Sequence, residues 1–156
     1  MLILLGVEIL DSSEDDLDSE HSILKGGDQM NSTMEKAERG SFNKSDEVRT
    51  FPKGKLELLK IGGATVGRAT FEPGWRWSTS LQPLVKTKSC EAPHFQYHLS
   101  GTLNVVMDDG TQLVCKAGDV SLLPTGHDAW VVGDEPVVVV DFQGMVDYAK
   151  LPSAPK

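Results

Sequence analysis

Beyond residue 46 the chain reads as short runs of apolar and β-branched residues, each closed by Gly, Pro or Asp. Runs at 56–61, 64–71, 94–99, 102–107, 111–116, 120–123, 129–132 and 137–142 are separated by Gly62-Gly63, Pro73-Gly74, Ser100-Gly101, Asp108-Asp109-Gly110, Ala117-Gly118-Asp119, Pro124-Thr125-Gly126 and Gly133-Asp134-Glu135-Pro136. Strand-length runs at this spacing, with turn chemistry between them, predict an all-β sandwich or barrel. A further run, Trp75-Arg76-Trp77-Ser78, precedes a loop through Pro83. Asp109-Gly110 predicts a hairpin with a type I′ turn, whose two central residues both take positive φ. A helical period after residue 46 is confined to 145–150.

Residues 1–45 have a different texture. An acidic run spans 11–20, Gly26-Gly27 and Gly40 interrupt any helical pattern, and 30–39 could form one short helix capped by Asn31 or Ser32. The organisation predicted is a disordered or loosely helical acidic extension over 1–45, a β domain over 46–148 and a tail over 149–156. Deleting residues 1–40 is expected to leave the β domain folded.

The net charge of −8 sits mostly in that extension, which holds ten Asp/Glu against four Lys/Arg. The β domain is therefore nearly neutral. A basic footprint for nucleic acid is missing, and so is a polybasic membrane patch. No apolar run is long enough to cross a bilayer, and a basic start with a small-residue cleavage site is lacking, so the expected location is cytoplasmic. Two cysteines, Cys90 and Cys115, make a poor case for a disulfide there.

Alternation puts His94, Gln96 and His98 on one face of the 94–99 run and Phe95, Tyr97 and Leu99 on the other. A polar inward face suits a lined pocket. Cys90 shares the parity of His94 if extended backbone continues through Pro93. Trp75 and Trp77 flank Arg76, which reads either as a pocket wall with Arg76 clamping an anion or as a core edge or subunit contact. Trp130 is open to the same two readings, and Cys115 reads as core.

The stretch Gly118, five residues, Pro124, Thr125, Gly126, His127 resembles the second motif of the cupins, and Gly101 matches the glycine that closes their first. Pro73 to Ser78, Cys90 to His94 and Gly126 to Pro136 are also similar to a cupin subgroup. The resemblance implies a double-stranded β-helix, or jelly-roll barrel, usually paired as a homodimer; the Trp75/Trp77 segment could supply that contact. Counted back from Gly101, His94 falls where the family carries glutamate, and Lys88 and Cys90 fall on its paired histidines. His127 stands two residues early. The resemblance thus implies a metal site of Cys90, His94 and His127 with one position open, for a transition metal such as zinc or iron. Around it Gln96, His98, Arg76, Trp75 and Trp130 could orient the ligands or bind substrate. The function implied is a small metalloenzyme acting on a small organic molecule in the barrel mouth; the alternative is a non-catalytic barrel that binds or senses a small molecule. A Cys90–His94 nucleophile pair is conceivable, but the sequence names no partner to orient it.

Overall fold

The computed structural model describes residues 36–150. Its strands are β1 (Glu47–Phe51), β2 (Gly54–Ile61), β3 (Ala64–Phe71), β4 (His94–Ser100), β5 (Thr102–Met107), β6 (Gln112–Lys116), β7 (Val120–Leu123), β8 (His127–Val132) and β9 (Val137–Asp141). Two single-turn helices, α1 (Trp77–Ser80) and α2 (Gln82–Val85), lie between β3 and β4. Among the described residues no helix is long and apolar enough to cross a membrane.

The strands form a six-stranded sheet in the order β1-β2-β3-β9-β4-β7 and a three-stranded sheet in the order β6-β5-β8. All pairs are antiparallel. From β3 the chain crosses to the small sheet, where Arg76 alone bridges to Trp130 of β8, then returns as β4. It crosses again for β5 and β6, back for β7, over for β8 and back for β9. This is jelly-roll winding, with one strand shortened to the Arg76 bridge.

Period-two alternation fills the space between the sheets. Leu56, Leu58, Ala69, Phe71, Val137 and Val139 point inward from the large sheet and Leu103, Val105, Ala129 and Val131 from the small one, all buried. One inward row crosses the large sheet through paired residues: Leu58, Gly67, Asp141, Gln96 and Ser121. It turns from apolar to polar at β9, which moves the polar lining to the β9-β4-β7 half.

Several expectations are corrected. β1 was not foreseen. The β5–β6 connection is not a type I′ turn: Gly110 has φ 89° but Asp109 does not take positive φ. Gly110 N–H donates to Met107 O at 2.9 Å and Met107 N–H to Thr111 O at 2.8 Å, a three-residue loop with a left-handed glycine. The 75–78 run is not a strand, because Ser78, Thr79 and Ser80 wind into α1 after Arg76. Residues 142–150 are turns and bends rather than a helix. Residues 42–44 form a 3-10 turn, and Phe42 sits 4.9 Å beneath the Arg68 guanidinium on the outer face of β3. That face also carries the Arg68–Glu57 pair, in which two guanidinium nitrogens donate to the carboxylate at 2.8 and 2.9 Å. The chain is thus ordered against the barrel before residue 46. Residues 36–39 form no helix; the rest of the predicted 30–39 helix, and the remainder of the extension, lie outside the described residues.

Candidate metal centre

Cys90, His94 and His127 meet at one end of the sandwich. His94 opens β4 and His127 opens β8, each at an inward position, so the first residues of strands from opposite sheets face each other. Cys90 is not in a continuous extension of β4; it forms a separate bridge with His127. Cys90 N–H donates to His127 O at 2.8 Å and Gly126 N–H donates to Cys90 O at 2.7 Å. Gly126, at φ 90°, makes this tight turn and lets His127 enter the barrel directly after it.

One ligand atom from each of the three residues lies within 4.8 Å of the others, and all three are 3% exposed. Cys90 Sγ is 3.6 Å from His94 Nε2, and the two imidazole centroids are 5.4 Å apart. A tetrahedral metal with bonds of about 2.0–2.3 Å spaces its ligands at about 3.3–3.8 Å. The Cys90–His94 pair already fits. The full spread exceeds the ~4 Å foreseen for an assembled site, so the third ligand must close by roughly 1 Å.

The outer nitrogens settle the tautomers. His94 Nδ1 lies 2.7 Å from Asp141 Oδ2, and His127 Nδ1 lies 2.8 Å from Pro124 O. A carbonyl and a carboxylate oxygen accept, so each Nδ1 carries a hydrogen, and Nε2 is the atom left on each ring to bind a metal. Burial pushes the pKa of His127 down, which favours the neutral ring. Burial, helped by nearby Asp141 and Glu91, pushes the Cys90 thiol up to about 12. Without a cation the sulfur holds its proton.

Asp141 was not foreseen. It is fully buried, and its Oδ2 also accepts from Gln96 Nε2 at 3.0 Å. Its Oδ1 accepts from Gln143 N–H at 2.7 Å and Phe95 N–H at 3.4 Å. The signal was available: Asp141 shares the parity of inward Val137 and Val139. Tyr148, also missed, packs edge-on to His94 with centroids 5.2 Å apart, and burial raises its hydroxyl pKa well above the usual value.

The other candidates separate. Gln96 and Trp75 line a small cavity of about 20 Å³ with His94 and His127. Gln96 Oε1 and Trp75 Nε1 are buried there without a protein partner. His98 faces the same interior two positions further along β4, where Ser121 Oγ lies 2.9 Å from its Nε2; it is outside the cluster. Arg76 and Trp130 are corrected: they lie on the outer surface. Arg76 donates to Asp128 at 2.6 and 2.7 Å and stacks 4.8 Å above Trp130, because the even positions of β8 point outward. Trp75 and Trp77 are 2% and 3% exposed, Trp75 stacked on Phe71 at 4.0 Å, so neither is available for a subunit contact. Cys115 is core.

A larger cleft of about 500 Å³ opens beside the cluster. Cys90, Leu81, Val85 and Ala92 form part of its wall, and Gly144 with residues 146–150 forms another part. Trp77 and Tyr148 line both this cleft and the small cavity, and so stand between them. Arg49 of β1 ties the covering segment down, donating to the carbonyls of Tyr148 at 2.6 Å, Val146 at 2.8 Å and Met145 at 3.4 Å.

The winding is that of a jelly roll, and Gly118 through Gly126 span β7 and deliver His127 to the mouth. The chain folds as a jelly-roll barrel. No family model and no curated protein matches the sequence. Similar solved structures include an RmlC-like cupin from Shewanella frigidimarina, 19% identical at a TM-score of 0.48 over 71% of this chain and 95% of that one. A protein of unknown function from Rhizobium leguminosarum is 16% identical at 0.49 over 69% and 98%. The formate complex of an oxalate decarboxylase from Lactobacillus farciminis is 17% identical at 0.46 over 64% of this chain, which spans only 31% of the decarboxylase. At these identities the functional reading of this barrel rests on its own site.

Proposed function

We propose that this cupin barrel is a small metal-dependent protein in which Cys90, His94 and His127 hold one divalent transition metal, zinc or iron, and a small organic molecule enters the adjoining cleft. The observation that carries the reading is the tautomer pair. Both imidazoles are fixed by oxygen acceptors at Nδ1, leaving two Nε2 atoms beside a thiol as metal ligands, a borderline-soft donor set with a position left over. A bound divalent metal would supply Lewis acidity at that position.

The cleft is of ordinary size for a small-molecule site. The inner cavity holds about one water-sized group. A substrate body therefore rests against Leu81, Val85 and Tyr148, and only a small polar group reaches Gln96 Oε1 and Trp75 Nε1–H. Elemental analysis of protein purified without added metal tests the proposal. One zinc or iron per chain, lost in His94→Ala and His127→Ala variants that still fold, is the expected result. Metal-free wild type that also fails to take up Zn²⁺ or Fe²⁺ overturns it.

Asp141 gives a second reading a foothold. Cys90, His94 and Asp141 stand in the order of a nucleophile, a base and an orienting carboxylate. A thiol whose pKa is pushed up to about 12 is a poor nucleophile, which weighs against this arrangement. Alkylation kinetics separate the two. Rapid modification of Cys90 at neutral pH in metal-free protein favours the nucleophile; slow modification, further suppressed by Zn²⁺, favours the metal.

A further inference from the structure

Two polar atoms of residues lining the small inner cavity have no partner in the protein: Gln96 Oε1 and Trp75 Nε1. Their residues are 4% and 2% exposed. The indole N–H only donates, and the amide oxygen only accepts. The amide is fixed in its orientation. Gln96 Nε2 donates to Asp141 Oδ2 at 3.0 Å. A reversed amide would set oxygen against a carboxylate that already accepts from His94 and from two backbone N–H groups. The Trp75 ring is held by stacking on Phe71 at 4.0 Å. One fixed donor and one fixed acceptor thus share a cavity of about 20 Å³, room for a single water-sized group.

A buried donor or acceptor left unpaired costs more than the bond it could make contributes. Few groups of that size satisfy both atoms. A carboxylate oxygen meets the indole N–H but sets acceptor against acceptor at Gln96 Oε1. An ammonium meets Gln96 Oε1 but sets donor against donor at Trp75. A hydroxyl gives its hydrogen to Gln96 Oε1 and accepts one from Trp75 Nε1–H. Tyr148, whose own hydroxyl can give or take, does not bias the choice.

Charge points the same way. Besides Cys90 and Tyr148, the ionisable side chains of the cleft wall are Glu91, Asp147 and Lys150. Lys150 Nζ donates to Asp147 Oδ1 at 3.2 Å, and the Arg49 guanidinium is taken up by Glu47 and three backbone carbonyls. Among the described lining residues no cation is left for a carboxylate. With a divalent metal bound, the Cys90 thiolate and the Asp141 carboxylate offset its two charges. Trp77, Leu81, Val85, Ala92 and Val146 make much of the remaining wall apolar.

We propose that the molecule this site selects is an uncharged alcohol, with an apolar body in the cleft and its hydroxyl in the inner cavity, donating to Gln96 Oε1 and accepting from Trp75 Nε1–H. The inference rests on the reading that a small organic molecule enters the cleft; the two unpartnered atoms act whether or not metal is bound.

The test uses the full chain, as purified and after removal of metal. Hexanol, hexanoate and hexylammonium, one chain with three ends, are titrated in at neutral pH. Calorimetry gives the affinity, and the Trp75 indole N–H resonance, assigned by its loss in Trp75→Phe, gives the location. Hexanol should bind at least about 10-fold tighter than either charged probe in both preparations. It should move the Trp75 resonance over the same concentrations. Trp75→Phe should narrow the preference over hexylammonium, and Gln96→Leu the preference over hexanoate. The wild-type comparison needs no variant to fold. Either charged probe binding as tightly as hexanol overturns the proposal. So does hexanol that binds without moving the Trp75 resonance, or the failure of all three to bind in the millimolar range. Zinc uptake by the same preparations separates this from the metal reading. A preference for hexanol in protein that takes up no metal supports the alcohol site and sinks the metal; uptake without the preference does the reverse.

Discussion

Asp141 Oδ2 accepts a hydrogen bond from His94 Nδ1 at 2.7 Å, on a carboxylate with no exposed surface. Both of its oxygens face donors. Gln143 N–H and Phe95 N–H meet Oδ1, while Gln96 Nε2 shares Oδ2 with His94. A group that only accepts is required on both sides.

Asp141→Asn breaks that requirement. The backbone N–H of Gln143 cannot turn away, so the amide oxygen stays with it and the new NH₂ faces His94. His94 then accepts at Nδ1 and carries its hydrogen on Nε2, aimed into the site. Zinc affinity should fall about 10–100-fold with the fold retained. Competition with a chromophoric chelator measures it; an unchanged affinity means that Asp141 does not set the tautomer.

Metal-free protein should lose stability in alkali. The Cys90 thiol ionises at about 12 in the fold against 9.0 when exposed. Its contribution is whole below pH 9 and is lost as pH rises toward 12, by about 1.4 kcal/mol for each pH unit. Burial raises Cys115 and Tyr148 in the same direction. Urea titrations at pH 8 and 10 should show the loss in the wild type and a smaller one in Cys90→Ala. On the acid side, burial lowers the pKa of both His98 and His127, so stability should fall as pH drops below about 6.5.

Arg49→Ala should loosen the segment over the mouth. Three carbonyls lose a charged donor, and hydrogen bonds to charged groups contribute about 1.5–3 kcal/mol each. In a Cys115→Ser background, labelling of Cys90 by a thiol reagent should accelerate at least about 10-fold. Equal rates would show that the segment does not limit access.

His98→Asn should leave metal stoichiometry at the wild-type value, since His98 bonds Ser121 rather than the cluster. It should still lower the thermal midpoint by several degrees. Loss of the metal in this variant would place His98 among the ligands.

The strands were legible where one face is buried, because alternation then leaves a period of two, as in β3, β4 and β9. β1 was not, because an edge strand reading Glu47-Val48-Arg49-Thr50-Phe51 buries only Phe51. His94 and His127 could be read as inward from parity and motif. Asp141 was hidden at the end of four valines, where a run of apolar residues masks its own alternation. Tyr148 had no usable sequence signal, since the helical period over 145–150 is not adopted and these residues are held by Arg49. Arg76 and Trp130 went astray because the extended stretch at 76 is one residue long and its outward side is fixed by pairing with β8.

The hydrogen bond from Arg49 to Tyr148 joins residues 99 apart in the chain. Closing so long a loop carries an entropic cost that the hairpins of neighbouring strands do not. The mouth should therefore form late in folding, after the hairpins of neighbouring strands, and slowly, as for other folds dominated by distant pairings. A chain emerging from the ribosome can build β2 and β3 long before it has a His94 held by Asp141. Until residue 141 is made His94 has no carboxylate at its Nδ1, and until residue 148 is made the mouth lacks its covering segment.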